Sequence, residues 1–259
     1  MTYRIAHAPV AGPARAGTVV HVRPAVKLIF FPGDEQIHRS IRGRDKLIIQ
    51  GHIYVVGGEG EVYEACGGEA TRRPDRGHWI EPTPKGKYRL GPRHHHVTVN
   101  WSSSCIAYGR PIRQGAVEYE YQDENGHWHV ASGPDGKVTK LRLKERRVEL
   151  RRPLTEDDRQ EVIRKVRSWF RWGDGTPMDM WWRNDFGEWA WNLPGTACYI
   201  HTTPDDEYAW HRGSENIPLE NSHGCIHIHP KDRDEMIREG YLKQGAYFEV
   251  KGYSEKGPP

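Results

Sequence analysis

Cys225 stands in a segment that combines a thiol with histidine and glycine. The segment reads Asn221-Ser222-His223-Gly224-Cys225-Ile226-His227-Ile228-His229-Pro230. A cysteine nucleophile needs a base, backbone N–H groups that hold a developing oxyanion, and a chain path that presents the sulfur. Because Gly224 frees the backbone to bend, the amides of His223, Gly224 and Cys225 could converge on one point. The pattern indicates a nucleophilic thiol.

Two other interpretations apply to the same segment. A cysteine taken alone is more often a small buried hydrophobe than a nucleophile. Alternatively, alternating Cys and His side chains on one strand face could bind zinc, the set here being His223, Cys225, His227 and His229. A strand spaces such side chains about 7 Å apart, which is too far for more than two of them to reach one tetrahedral ion. We therefore predict no metal and no cofactor.

The sequence from Ser222 to Ile226 resembles the Ser/Thr-His-Gly-Cys-hydrophobic signature of the L,D-transpeptidase (YkuD-like) catalytic domain family. A predicted helix over Pro230 to Glu239 and a predicted strand over Gly245 to Val250 follow it, as in that family. The resemblance implies that Cys225 is the nucleophile and that Ser222, His223 and Gly224 shape the oxyanion loop. One position differs from the family's pattern, because His227 stands where the family usually carries Arg or Asn. We predict that His227 contacts the substrate.

A second stretch, Glu81 to Leu90, resembles the Thr-Pro-x-Gly-x-aromatic turn and strand that lie early in the same family's catalytic domain. Proline fixes one corner of such a turn and Gly86 permits the next, after which a strand leaves. We assign this stretch a scaffolding role. It precedes the cysteine motif in the family's order.

The general base is predicted at His201. Thr196 to Thr203 indicates a strand that ends in a histidine, and the resemblance makes this histidine the base. Thr202 follows it where Gly or Ser is common, and is assigned to shaping the site. The loop from there to the cysteine motif is slightly longer than usual, which costs little free energy. His211 leaves too short a loop, and His223 is too close to the cysteine in sequence.

Thiol activation alone cannot explain catalysis by such a pair. Lowering a thiol pKa from about 8.5 to about 6 raises the thiolate fraction at pH 7 roughly 30-fold. The thiolate of lower pKa is a weaker nucleophile, which lowers the rate roughly 13-fold, so the net gain is only about twofold. His201 would therefore serve chiefly as proton donor to the leaving amine. The amides near Gly224 would add roughly 100- to 1000-fold as oxyanion donors.

Composition excludes several classes of protein. The 259 residues have a net charge of only +3 and interspersed charges, which gives nucleic-acid binding no support. No run of about 18 apolar residues predicts a membrane span. The first twenty residues lack the apolar core of a signal peptide, and four cysteines in so long a chain are not a disulfide framework.

Ten Trp and twelve Tyr must carry much of the packing.

The elements outside the motifs are mostly predicted strands. Residues 46–50 and 52–56 indicate a strand pair around Gly51, followed by a glycine turn and a strand over 61–66. The three histidines 94–96 alternate in direction on a strand, which excludes joint chelation of one ion without a kink.

Residues 101–172 fall outside the resemblance and are predicted to be an insertion. A hairpin is indicated around Asn125-Gly126, and a solvated strand pair over 137–152. Thr155 is the predicted N-cap of a helix with one apolar face. The tryptophans between 169 and 191 are interpreted as packing rather than as a substrate lid, although Trp182 is a candidate substrate contact.

The predicted fold is mainly β with a few helices (α+β), an L,D-transpeptidase-like β-sandwich that carries a hairpin-plus-helix insertion. Residues 1–44 are an extension of unknown role, 45–253 the catalytic domain, and 254–259 a tail. About half of the chain, in two blocks around the insertion, carries the resemblance.

The resemblance implies a cysteine enzyme of the bacterial cell wall that acts on peptidoglycan stem peptides. It would form 3→3 cross-links, exchange terminal D-amino acids, or hydrolyse as an L,D-carboxypeptidase. The substrate implies action in the periplasm or cell wall, after export in a mature form or by another route. One hypothesis is a secreted effector with a secretion-system or immunity partner. The alternative is a catalytically silent wall-binding or zinc-stabilised module.

Overall fold

A curled mixed sheet of nine strands organises the chain. The computed structural model describes residues 26–41, 44–75, 78–172 and 175–258, and these form a mainly β protein with four helices. The strands are β1 Lys27–Ile41, β2 Arg44–Val56, β3 Val62–Cys66, β4 Arg73–Asp75, β5 His78–Ile80, β6 Gly86–Arg89, β7 Arg93–His94, β8 Ile112–Gln114, β9 Tyr119–Gln122, β10 Trp128–Val130, β11 Ala190–Asn192, β12 Tyr199–His201, β13 Ile226–Ile228 and β14 Tyr247–Val250. The helices are α1 Lys137–Leu150, α2 Glu156–Ser168, α3 Pro204–His211 and α4 Pro230–Arg238.

The strand order of the large sheet is β6-β14-β1-β2-β3-β13-β12-β11-β7. Two neighbouring pairs, β1 with β14 and β12 with β13, are parallel, and the other neighbours are antiparallel. A parallel pair needs a crossover connection, which α3 and the loop after it supply between β12 and β13. The crossover places β13, which directly follows the cysteine segment, next to β12, which ends at His201.

Two large hydrophobic cores and a small cluster of Ile48, Cys66 and Leu219 stabilise the described chain. The first packs the inner face of the large sheet against α4, where Met236 is fully buried, and it contains Trp191, Ile200 and Ile226. The second lies within 105–181 and joins β8 and β9 to α1 and α2 around Phe170. The predicted insertion therefore has a core of its own.

The predicted solvated strand pair over 137–152 is wrong, because this segment forms α1. Its charges are of both signs and occur at helical spacing. Arg142 pairs with Glu145 three residues later and with Glu149 one further turn along. Such pairs stabilise a helix surface, whereas the prediction treated the segment only as a basic run.

The predicted strand pair around Gly51 is also wrong, since residues 44–56 form the single strand β2. Gly51 pairs with Ala65, and a Cβ atom on it would lie 2.4 Å from the carbonyl oxygen of Phe31. This glycine permits a close backbone approach rather than a turn.

The N-terminal boundary differs from the predicted one. Residues 1–25 lie outside the described residues, but β1 occupies the large sheet between β14 and β2. Its residues 27–30 pair with 247–250, so residues 27–41 belong to the fold rather than to an extension.

Other local predictions are confirmed. β9 and β10 form the predicted hairpin, with Gly126 at φ 84° in its turn. Thr155 caps α2 in a reciprocal capping box with Asp158. The helix after the cysteine ends before Gly240, which has φ 75°. None of the helices in the described part of the chain has the length and apolar character needed to cross a bilayer.

Candidate active site

The parallel strands β12 and β13 carry the predicted base and follow the predicted nucleophile, respectively. Ile200 pairs with Ile226, and both are buried in the core. Side chains alternate along a strand, so His201 and its register partner His227 lie on the opposite face from these isoleucines. The ring centroids of His201 and His227 are 4.8 Å apart, and Cys225 directly precedes β13.

His201 is held as a neutral imidazole of defined tautomer. It is only 4% exposed, and its Nδ1 lies 2.7 Å from the carbonyl oxygen of Thr202. A carbonyl only accepts hydrogen bonds, so Nδ1 carries the hydrogen and Nε2 carries the lone pair. Burial, followed by the neighbouring His227, lowers the pKa of His201 well below its usual value. Nε2 can therefore accept a proton.

The Cys225 thiol is also held in its neutral form. Its sulfur is hydrogen-bonded to Cys198, and the backbone of Tyr199 contacts it as well. The hydrogen bond to Cys198 and then burial raise the pKa of Cys225 well above its usual value. None of the hydrogen bonds in the described chain joins Cys225 to His201. The resting pair is thus neutral thiol and neutral imidazole, not thiolate and imidazolium.

The Ser222 side chain fixes the loop in front of Cys225. Its hydroxyl donates to the carbonyl oxygen of Cys225 at 2.5 Å and accepts from the backbone N–H of Gly224 at 2.9 Å. Gly224 has φ 123°, a region that only glycine adopts readily. The expectation that three amides converge is corrected by this geometry, because the Gly224 amide is already bonded. The Gly224 amide is therefore engaged within the loop.

The stretch that begins at Glu81, predicted to be scaffold, lies directly against this loop. A Cβ atom on Gly224 would be 3.6 Å from the carbonyl oxygen of Glu81. The Thr83 hydroxyl accepts from the backbone N–H of Gly68 at 2.9 Å, and the carbonyl of the adjacent Gly67 accepts from Ser222 at 2.9 Å. The two motifs found in the sequence therefore meet through residues 67–68.

A buried ion pair beneath the base was missed in the sequence. The Thr202 hydroxyl donates to Glu207 at 2.5 Å, and the same carboxylate accepts from Arg233 and, at 3.1 Å, from the backbone N–H of Glu188. Thr202, Glu207 and Arg233 are all buried. Glu207 lies in the first turn of α3 and Arg233 in α4, so their sequence separation hides the pairing.

An aromatic wall beside the base was also missed. Phe186 lies with its ring centroid 4.6 Å from His201 and 3.9 Å from His96, and the ring of Tyr199 lies 4.5 Å from His96. Burial lowers the pKa of His96 to about 4. The predicted alternation holds here, because His95 stacks on Trp189 at 3.9 Å instead of joining its neighbours. The sequence predicts that these histidine side chains alternate in direction, but not which aromatic rings they contact.

The two residues assigned to substrate binding occupy different places. His227 lies beside the base, and its Nδ1 is 3.0 Å from the carbonyl oxygen of Glu220. Burial lowers the pKa of His227 to about 4. The ring of Trp182 contacts Tyr108, Trp172 and Tyr208 and none of the predicted site residues.

Among the residues that the structure describes, no three His, Cys, Asp or Glu side chains come together in a way that could hold a metal ion. The alternating set around Cys225 does not form one, and His229 lies 3.8 Å from Glu64. Comparison of the chain with family models, with curated proteins and with solved structures gave no match.

Proposed function

We propose that this protein is a cysteine-dependent acyltransferase of the L,D-transpeptidase type, acting on peptidoglycan stem peptides. One observation supports the proposal: the parallel strands β12 and β13 pair His201, whose Nε2 is able to accept a proton, with His227, two residues after Cys225 and its glycine loop. A base and a thiol on adjacent strands, with a third group orienting the base, are what nucleophilic catalysis requires. Here the orienting group is the carbonyl of Thr202.

The reaction starts from a neutral pair. The Cys225 sulfur leaves Cys198, turns toward His201 and gives its proton to Nε2 as it attacks the carbonyl of the third stem residue. Hydrogen bonds in an enzyme without substrate are often not yet aligned, so the present contact with Cys198 is compatible with this step. The pKa directions favour proton transfer during attack over a preformed thiolate.

His201 then acts as proton donor. Its imidazolium protonates the amine of the terminal D-amino acid as the carbon–nitrogen bond breaks, which leaves a thioester on Cys225. Burial disfavours the imidazolium and so drives the proton toward the leaving amine. An amine acceptor gives a 3→3 cross-link or an exchanged D-amino acid, and water gives L,D-carboxypeptidase activity.

The finer fold assignment is part of this proposal. The order of the elements supports an L,D-transpeptidase-like catalytic domain: the strand β6 after Glu81, the base strand β12, the cysteine segment, α4 and the closing strand β14. The segment 101–181, with its own core, would be an addition to that domain. Action in the cell wall or periplasm, and delivery as a secreted effector with an immunity partner, follow from the substrate and are equally part of the proposal.

The test is incubation with purified tetrapeptide stems or muropeptides, followed by mass spectrometry. Wild type is compared with Cys225→Ala and with Cys105→Ala, a control for a buried thiol in the second core. We expect loss of the terminal D-residue or formation of dimers linked through two diaminopimelates with wild type and the control only. No product from the folded wild-type protein would favour the wall-binding module, which a pull-down on insoluble peptidoglycan would then detect.

A further inference from the structure

Cys198 is placed beside the nucleophile, where the sequence predicted no partner for it. Cys198 directly precedes β12, and Cys225 directly precedes β13, the neighbouring parallel strand. The Cys198 sulfur lies 3.3 Å from the position of a Cβ atom on Gly224. The two thiols interact directly, since each is the largest influence on the pKa of the other.

The backbone spacing fits a disulfide between these two residues. The register pairs Ile200 with Ile226, so one step back pairs Tyr199 with Cys225 and leaves Cys198 one residue out of register. Strands about 4.8 Å apart, with a rise of about 3.3 Å per residue, then put the two Cα atoms roughly 5.8 Å apart. Disulfides span Cα separations of about 4.4–6.8 Å, and both cysteines lie just outside the regular strands, where strand alternation does not fix the direction of their side chains.

The pair is also reachable, unlike the other two cysteines. Cys198 and Cys225 are both partly exposed, whereas Cys66 is 0% exposed and Cys105 is 2% exposed. Hydrogen bonds from Cys225 and from Thr196 lower the pKa of Cys198. Reactive cysteines combine exposure with thiolate character, and Cys198 has both.

We propose that Cys198 and Cys225 form a reversible disulfide. Oxidation would then modify Cys225, the proposed nucleophile, and block its sulfur. The co-reactant is a hydroperoxide. The Cys198 thiolate attacks a peroxide oxygen, the S–O bond forms, the O–O bond breaks, and the departing oxygen takes up a proton. The Cys225 sulfur then attacks Cys198, the S–S bond forms, the S–O bond breaks, and water leaves with the thiol proton. Two thiols lose two electrons and two protons.

The disulfide would occupy the sulfur that the proposed acyl transfer needs. Its formation is independent of the proposed function, while the inactivation that it causes rests on that function. A small reducing thiol reverses the step by exchange and restores both thiols. The proposed enzyme would therefore be inactive for as long as this disulfide is present.

The test maps the cross-link directly. The folded protein is treated with hydrogen peroxide, remaining thiols are blocked with iodoacetamide, and the protein is digested with trypsin without reductant. Cleavage after Arg183, Arg212 and Lys231 places the two cysteines on separate peptides, 184–212 and 213–231. We expect these peptides to appear joined, with a mass two hydrogens below their sum, and to separate after reduction.

Matched variants decide the result. Cys198→Ala and Cys225→Ala must both abolish the joined peptides, while Cys105→Ala must leave them unchanged. A joined pair that forms only in urea, a cross-link to Cys66 or Cys105, or oxidation of Cys225 to sulfinic acid without a cross-link would overturn the proposal. Because the readout is a mass, a joined pair without activity on stem peptides would reject the proposed function alone.

Discussion

Glu207 and Arg233 form an ion pair in which the side chains are only 0% and 3% exposed. The carboxylate of Glu207 also holds the hydroxyl of Thr202, whose carbonyl fixes the tautomer of His201. A salt bridge between α3 and α4 is thereby connected to the base in two hydrogen-bonding steps. The pair thereby positions His201, the proposed base, through Thr202.

Breaking this pair should destabilise the protein strongly. Removing one partner of a buried ion pair leaves an uncompensated charge and costs about 3–5 kcal/mol. For Glu207→Gln the loss of unfolding free energy should be near the lower value, about 3 kcal/mol, because Arg233 keeps a second partner, Asp234, at 2.8 Å. At about 2–4 °C per kcal/mol, the melting temperature should drop roughly 6–12 °C. Thermal unfolding followed by circular dichroism measures this.

The exposed pair of Lys85 with Glu255 supplies the control for that measurement. Its atoms are 2.6 Å apart, but solvent screens both charges. Glu255→Gln should leave the melting temperature unchanged. Equal shifts in the two variants would mean that the Glu207 pair is no more important than a surface contact.

Cys198 should control the ionisation of the nucleophile. The hydrogen bond to Cys198 is the largest cause of the raised pKa of Cys225, so Cys198→Ala should lower that pKa. In wild type, iodoacetamide should label Cys198 before Cys225 at pH 8, because the thiolate is the reactive form and the pKa of Cys198 is lowered. Peptide-level mass spectrometry over a pH series follows both sites separately.

The outcome distinguishes two resting states of the pair. A labelling rate of wild-type Cys225 that keeps rising above pH 9 agrees with a neutral thiol beside a neutral imidazole. A plateau that begins near pH 6 would instead show a thiolate–imidazolium pair and contradict the assignment made here.

The sequence predicted the local features of the site better than its surroundings. The cysteine loop, the base strand, the capped helix α2 and the helix α4 each depend on residues close together in the chain, such as Thr155 and Asp158. The Glu207–Arg233 pair and the aromatic wall of His96 and Phe186 depend on how distant strands and helices pack. Nothing in the periodicity of one segment reports such contacts.

The failed local predictions have a similar cause. Gly51 permits a turn, yet it lies in β2 where the backbone of Phe31 approaches closely. The run 137–152 has the positive charge of a solvated strand pair, whereas in the structure it is a helix that buries Val138 and Thr139 and brings Arg142 to Glu145 and Glu149. In both cases the same residue types serve two structures, and only packing decides between them.

Gly224 should tolerate no side chain. Its φ of 123° is strained for any other residue, and a Cβ atom would lie 3.3 Å from the Cys198 sulfur. Gly224→Ala should cost about 1–3 kcal/mol and displace the loop that Ser222 fixes, with loss of activity on stem peptides. Chemical denaturation measures the free energy of unfolding.

Gly213→Ala is the matched control for this position. Gly213 also has a positive φ, 78°, but a Cβ atom there would meet nothing within 4 Å. It should lose only the backbone strain of about 1–2 kcal/mol and keep its activity. If both variants retain full activity, the loop geometry does not matter for the chemistry.

Stability should fall as the solution is acidified through the range in which histidines titrate. Burial lowers the pKa of His227 and of His96 to about 4, from the usual 6.5, so between these values the unfolded chain binds protons that the folded protein excludes. Each histidine should then remove up to ~1.4 kcal/mol of unfolding free energy per pH unit as the pH falls. The contribution is fully present above pH 6.5. Asp206 opposes this change, because burial raises its pKa to about 6 and protonation stabilises its folded form.

A single substitution isolates the histidine contribution. In His227→Gln the melting temperature should fall less steeply between pH 7 and pH 4.5 than in wild type, because one excluded proton is gone, while the opposing carboxylate is unchanged. His211→Gln, at the exposed end of α3, serves as the control and should reproduce the wild-type slope. Parallel slopes for all three proteins would mean that His227 is protonated in the folded state, and the neutral environment assigned to the base beside it would then be wrong.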